Sequence, residues 1–157
     1  MRIYIMRHGE AENFAPSDAE RPLTQRGRSQ SAQVATQLHE RLNQQPIDWV
    51  WVSPYLRAQQ TWQTLADVLS EPKQISTVAD ITPYGEAEEV VAYLKAAIDV
   101  ERPESVLLVS HLPLVGYLTA ELDPSIQPPM FRTSAIAALE YNPETGRAEF
   151  LWQDVPQ

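Results

Sequence analysis

The stretch Arg2-Ile3-Tyr4-Ile5-Met6-Arg7-His8-Gly9-Glu10 decides the fold. Four apolar residues, Ile3 to Met6, run unbroken and then stop at a cation, an imidazole and a glycine. A short apolar run closed abruptly by polar residues reads as a strand buried on both faces, the kind found inside a parallel sheet. The pattern returns twice. Trp49 to Val52 ends at Ser53-Pro54-Tyr55-Leu56-Arg57, and Val106 to Val109 ends at Ser110-His111. Gln74 to Val78 is a weaker strand candidate.

Helical spacing fills the intervals. Val34, Ala35, Leu38 and Leu42 fall on one face, as do Ala58, Trp62, Leu65, Ala66 and Leu69. Val90, Val91, Leu94 and Ile98 form a third stripe, and Leu114, Val115, Leu118 and Leu122 a fourth. Each such stripe buries one side of a helix. Thr24 suits an N-cap and Pro54 the first turn of the second helix. Alternating strands and helices predict right-handed crossovers. The expected fold is α/β, a three-layer sandwich with a mainly parallel central sheet and helices on both faces. The tail reads differently: Ser134 to Tyr141 and Arg147 to Val155 are strands joined by a turn at Asn142-Pro143-Glu144-Thr145-Gly146, predicting an antiparallel C-terminal edge. Glu10 to Pro22 and Asp123 to Pro129 read as loops. One domain over residues 1–157 is expected.

Composition narrows the function. Among 157 residues, 43% are apolar and 21% charged, the balance of a soluble globular chain. With 12 Lys and Arg against 21 Asp and Glu, the net charge of −9 and the absence of a basic run argue against nucleic-acid or anionic-membrane partners. Zero cysteines exclude disulfides, thiolate catalysis and cysteine-ligated metals. No apolar run approaches the ~18 residues of a membrane span, and the run before Arg7 is too short for a secretory signal core. A cytoplasmic protein is expected.

The polar residues gather where a parallel sheet binds ligands, beyond the carboxyl ends of the strands. Arg7 and His8, Ser53 and Arg57, and Ser110 and His111 all follow strands, so the fold can deliver two histidines and two arginines to one pocket. Guanidiniums match phosphate oxygens as planar forks. Helix N-termini after Ser53 and His111 add backbone N–H groups. A neutral imidazole can attack phosphorus, and the second can donate to a phosphoryl oxygen or leaving group. Adjacent arginines depress a histidine pKa and keep the ring neutral. The histidines lie among arginines rather than carboxylates, which argues against a zinc site. No Gly-x-Ser-x-Gly elbow or Walker loop is present.

Arg7-His8-Gly9-Glu10 resembles the signature of the histidine phosphatase superfamily, the phosphoglycerate mutase-like enzymes. The resemblance continues in order through Leu23-Thr24-x-x-Gly27, Ser53 to Thr61, and Val109-Ser110-His111. Arg21-Pro22-Leu23-Thr24, Ser110 to Leu118 and Pro128-Pro129-Met130-Phe131 look like the short bacterial phosphohistidine phosphatase branch. The resemblance implies that His8 is the nucleophile, that Arg7, Arg57 and His111 hold the phosphoryl oxygens, and that Arg21, Gly9 and Ser53 contribute to substrate binding. It implies no metal or organic cofactor. It implies a monomer acting on the phosphohistidine of a histidine-containing phosphotransfer domain in a sensor-kinase relay, with phosphate or its analogues in the pocket.

One departure bears on the substrate. Many relatives place a general acid after the third strand. Here that region is Ile81-Thr82-Pro83, with Glu86 and Glu88 nearby and Glu10 in the first motif. A phosphohistidine N–P bond is labile and needs a weaker acid than an ester, so the departure favours phosphohistidine. The absence of pocket-walling insertions favours a protein substrate. A small-molecule phosphomonoesterase or mutase, with Glu86 or Glu88 as acid, is the alternative, and a non-catalytic phosphohistidine-binding module a further one. Blander roles are expected for other residues: Arg21 pairing with Asp18 or Glu20, Glu10 orienting its loop, His39 solvated, Trp49, Trp51 and Trp62 in the core, and Glu86, Glu88 and Glu89 as a solvated helix start.

Overall fold

In the computed structural model, which describes residues 1–157, the strands are β1 (Arg2–Arg7), β2 (Trp49–Val52), β3 (Gln74–Thr77), β4 (Ser105–Ser110), β5 (Ile136–Asn142) and β6 (Arg147–Asp154). They form one sheet in the order β3-β2-β4-β1-β5-β6. β1 to β4 are mutually parallel where they pair, while β5 runs antiparallel to β1 and β6 to β5. Four helices complete the chain: α1 (Gln25–Arg41), α2 (Leu56–Ala66), α3 (Ala87–Glu101) and α4 (Leu114–Leu122). The expected α/β sandwich with a mainly parallel sheet and an antiparallel edge is the observed one.

Strand alternation sorts the apolar residues into two cores. Ile3 and Ile5, Trp49 and Trp51, and Val106 and Leu108 pack with Val90, Val91, Leu94 and Ile98 of α3 and the apolar face of α4. Tyr4 and Met6, Val50 and Val52, and Leu107 and Val109 face the other way, onto Val34, Ala35 and Leu38 of α1 and Ala58, Trp62 and Leu65 of α2. Each such side chain contributes roughly 1.5–3 kcal/mol when buried. All three predicted core tryptophans are buried. No helix is long and apolar enough to cross a membrane.

The sheet's two edges are treated differently. β3 is four residues long and all four are exposed. β6 is anchored: the Arg41 guanidinium lies 3.7 Å from the Trp152 ring centroid and donates to both Asp154 carboxylate oxygens at 2.7 and 2.9 Å. Covering or shortening an edge blunts its tendency to pair with another chain.

Several local expectations need correction. Pro54 precedes α2 instead of opening it, because Tyr55 is still extended and serves as the N-cap. Ala66 ends that helix exposed, and Leu69 is buried from the turn beyond. His39 is half-buried, not solvated, and its Nδ1 is shielded without a partner. The Glu10–Pro22 loop contains a 3₁₀ turn at Asp18–Glu20. Thr24 does cap α1, its hydroxyl accepting from the Gly27 N–H at 2.9 Å.

Candidate active site

The parallel register brings three strand ends level. Arg7 pairs with Ser110, and Val52 with Val109. The next residue of each strand then binds its neighbour: the His8 N–H donates to the Ser110 carbonyl at 3.0 Å, and the Ser53 N–H to the Val109 carbonyl at 3.1 Å. His8, Ser53 and His111 therefore emerge side by side from the sheet's carboxyl edge, where α2 and α4 begin.

His8 is buried, and its Nδ1 lies 2.7 Å from the Gly9 carbonyl. A carbonyl can only accept, so Nδ1 carries the ring proton and Nε2 carries the lone pair. That lone pair faces the Nε–H of Arg57 at 3.3 Å. Burial lowers the His8 pKa to about 4; the Gly9 hydrogen bond opposes this shift, and Arg57, Arg7 and Arg21 add to it. His111 sits beside it, with ring centroids 5.0 Å apart. Burial, then the neighbouring His8 and Arg57, lowers its pKa to about 2. Both rings are thus neutral at pH 7. His111 Nε2 meets the Ser53 hydroxyl at 2.7 Å, while its Nδ1 has no partner. Tyr55 packs edge-on against the His111 ring.

The arginines complete a cationic wall. Arg7 donates to the Phe131 carbonyl at 3.0 Å and leaves its buried Nε unpaired. Arg57, on α2 and only 4% exposed, donates to the Asp18 carbonyl at 2.7 Å and to the Asp18 carboxylate at 3.2 Å. Arg21 donates to the other Asp18 oxygen at 2.9 Å and to the Glu12 carbonyl. The expected Arg21–Asp18 pair is therefore present, and it continues to Arg57.

Gly9 is held from below. Its N–H donates to the Thr61 hydroxyl at 3.0 Å, and a Cβ there would stand 2.7 Å from the Ser31 hydroxyl and 2.8 Å from the Gly27 carbonyl. Ser31 and Ser134 are themselves hydrogen-bonded at 2.9 Å, and the Ser134 N–H reaches the carbonyls of Arg7 and His8. Glu10 binds the Thr24 hydroxyl at 2.9 Å, tying the loop to the cap of α1. Glu86 and Glu88 are exposed at the start of α3, in a surface cleft with Tyr117 and Glu121 that contains neither histidine nor Arg57.

Sequence reasoning missed Asp18 as the bridge between Arg57 and Arg21, and missed Thr61 and Ser134 as supports. Thr61 carried a usable signal, since it lies four residues after Arg57 on the same helix face. Asp18 and Ser134 carried none.

A sheet whose strand ends converge two neutral histidines and two arginines defines a histidine-based phosphoryl-transfer enzyme. Residues 3–88 match the family model of the histidine phosphatase superfamily (branch 1), and the chain belongs to that superfamily. It is 46% identical over 156 residues to the phosphohistidine phosphatase SixA of Escherichia coli (strain K12), covering 99% of this chain and 94% of that protein. It is 42% identical over 144 residues to the SixA homolog of Haemophilus influenzae, covering 88% and 87%. Among solved structures it resembles the protein histidine phosphatase SixA complexed with tungstate, with a TM-score of 0.92 and 46% identity over 99% of this chain and 97% of that one.

Proposed function

We propose that this protein is a phosphohistidine phosphatase that hydrolyses the N–P bond of a phosphorylated histidine through a phospho-His8 intermediate. The observation that carries the mechanism is the unprotonated Nε2 of a buried, neutral His8, its lone pair facing the Arg57 Nε–H. The identity to SixA supports the substrate class. Tungstate, held by that relative, is a tetrahedral oxyanion that stands in for a phosphoryl group.

In the first step the Nε2 lone pair attacks phosphorus in line with the bond to the substrate imidazole. The P–N bond breaks and its electron pair returns to the substrate nitrogen; the substrate ring carries a proton on its other nitrogen, so it leaves as neutral imidazole. Arg7, Arg57 and His111 hold the equatorial oxygens, where charge gathers. In the second step water attacks phospho-His8, the new P–N bond breaks, and the pair returns to Nε2. The water's proton goes to solvent and phosphate leaves. Imidazole departs more readily than an alkoxide, and the nearby Asp18 carboxylate is engaged by Arg57 and Arg21, so the site suits a phosphoramidate better than an ester. The protein substrate is a histidine-containing phosphotransfer domain of a sensor-kinase relay.

The test is to mix wild type and His8→Ala with a phosphotransfer domain radiolabelled at its phosphohistidine and follow free phosphate, with para-nitrophenyl phosphate turnover in parallel. Release by wild type alone, faster than ester turnover, is the expected result. Full activity in His8→Ala removes the intermediate. Rapid ester turnover without phosphohistidine hydrolysis replaces the substrate class with small phosphomonoesters.

A further inference from the structure

We propose that Ser53 is a positioning residue that fixes His111 in its Nδ1–H tautomer and so makes its Nδ1–H the donor to the transferred phosphoryl group. The inference rests on the reading of this pocket as a phosphoryl-transfer site, and it adds the device that sets the second histidine's polarity.

Ser53 is fully buried, and its Oγ has two neighbours within hydrogen-bond distance: the Tyr55 N–H at 3.2 Å and His111 Nε2 at 2.7 Å. The Tyr55 amide is a donor, so it occupies an acceptor lone pair of Oγ. The hydroxyl hydrogen then has one acceptor within reach, Nε2. A hydroxyl that donates to Nε2 requires that nitrogen to be unprotonated. Neutral imidazole carries one ring proton, which must then sit on Nδ1.

The opposite tautomer fares worse. If Nε2 carried the proton it would donate to Oγ, and the hydroxyl hydrogen would have no acceptor. Nδ1 would also be left as a bare lone pair in a buried site. That arrangement leaves two buried polar groups unsatisfied, against one for the Nδ1–H form, and each such group is destabilising. The group left over in the favoured form is a buried N–H with nothing to bind. A buried unpaired donor is rare enough to need a reason, and beside His8 an arriving ligand supplies one. It suits an anionic phosphoryl oxygen, whereas a lone pair there would repel one.

His8 is set the same way by a different device. Its Nδ1–H is fixed by the Gly9 carbonyl, a group that can only accept, and its Nε2 is left as the attacking atom. His111 is fixed by a hydroxyl that is itself polarised by the first amide ahead of α2. Two chemically identical side chains, 5.0 Å apart, thereby present a lone pair and a proton respectively to one reacting group.

The chain has three histidines, so their ring nitrogens can be resolved by long-range proton–nitrogen correlation spectra of nitrogen-labelled protein. His111→Asn identifies the His111 signals by their loss. In resting wild type at pH 7, His111 is expected to show the Nδ1–H pattern. In Ser53→Ala it should move to the Nε2–H pattern that predominates in water, with the His39 signals unchanged as a check on folding. kcat for phosphate release from the phosphohistidine domain should fall roughly ten- to a hundredfold, as for lost outer-shell orienting groups, with KM within about twofold. An Nε2–H pattern in wild type overturns the assignment even if the variant does not fold, and so does an Nδ1–H pattern that survives in Ser53→Ala. The spectra need no substrate, so an enzyme with Nδ1–H His111 that releases no phosphate would overturn the proposed activity and leave the tautomer intact.

Discussion

The Nε–H of Arg57 faces His8 Nε2 at 3.3 Å, so the nitrogen proposed to attack phosphorus is held by a permanent cation. The same guanidinium keeps its two terminal nitrogens on Asp18. It therefore disfavours protonation of the nucleophile and stands ready for the phosphoryl oxygens. A lysine supplies the charge without the planar fork. Arg57→Lys should lower kcat for phosphohistidine hydrolysis by about 10²–10³-fold, the scale of losing one preorganised donor. Steady-state kinetics within tenfold of wild type would show that charge alone suffices.

Asp18 sets a carboxylate on the guanidiniums proposed to hold the substrate phosphoryl. Its oxygens lie 3.2 Å from Arg57 and 2.9 Å from Arg21, and the side chain is 47% exposed. Asp18→Asn keeps the shape and removes the charge. Screened by solvent, one charge at this distance is worth about 1 kcal/mol, so tungstate should inhibit the variant roughly fivefold more tightly. Weaker inhibition would mean that the carboxylate serves chiefly to hold the two arginines in place.

The neutrality of His8 has a pH signature. Its pKa falls from 6.5 to about 4 on folding, chiefly through burial. Between those values the unfolded chain binds the proton and the folded chain does not, so stability is lost as pH drops from about 6.5 towards 4. The contribution is roughly 3 kcal/mol at most. Urea titrations of wild type and His8→Asn at pH 7 and pH 4.5 should show a smaller loss in the variant. Parallel losses would place the proton binding elsewhere. Turnover should likewise keep the nucleophile neutral well below pH 6.

Gly9 and Gly27 meet where the nucleophile's loop crosses the start of α1. A Cβ on Gly27 would collide with the Glu10 backbone, and one on Gly9 with the Gly27 carbonyl and the Ser31 hydroxyl. Gly27→Ala should cost about 1–3 kcal/mol, the usual range for overpacking, and should lower kcat by shifting His8. Calorimetry that finds the variant as stable as wild type would show that the contact relaxes freely.

The architecture was legible because each parallel strand is an unbroken apolar run and each helix a clear stripe. Arg7, His8, Arg57 and His111 were legible because they follow those runs directly. Hydrogen bonds across long sequence separations were not: Ser31 and Ser134 are 103 residues apart. Asp18 lies in a segment with no apolar period, and its importance arises only when a 3₁₀ turn folds back on Arg57. Apolar spacing also overran α2, since Leu69 keeps the rhythm of the helix after the helix has ended.

β1 is hydrogen-bonded on both sides, to β4 and to β5, and its side chains are anchored in both cores. Its amides can exchange with solvent only when the sheet itself comes apart, at close to the full cost of unfolding. His8 thus stands at the end of a strand held on both sides and in both cores. In the proposed reaction a phosphorylated protein must carry its own imidazole down to a stationary acceptor, and the approach geometry is set by the partner's surface rather than by any reach of His8.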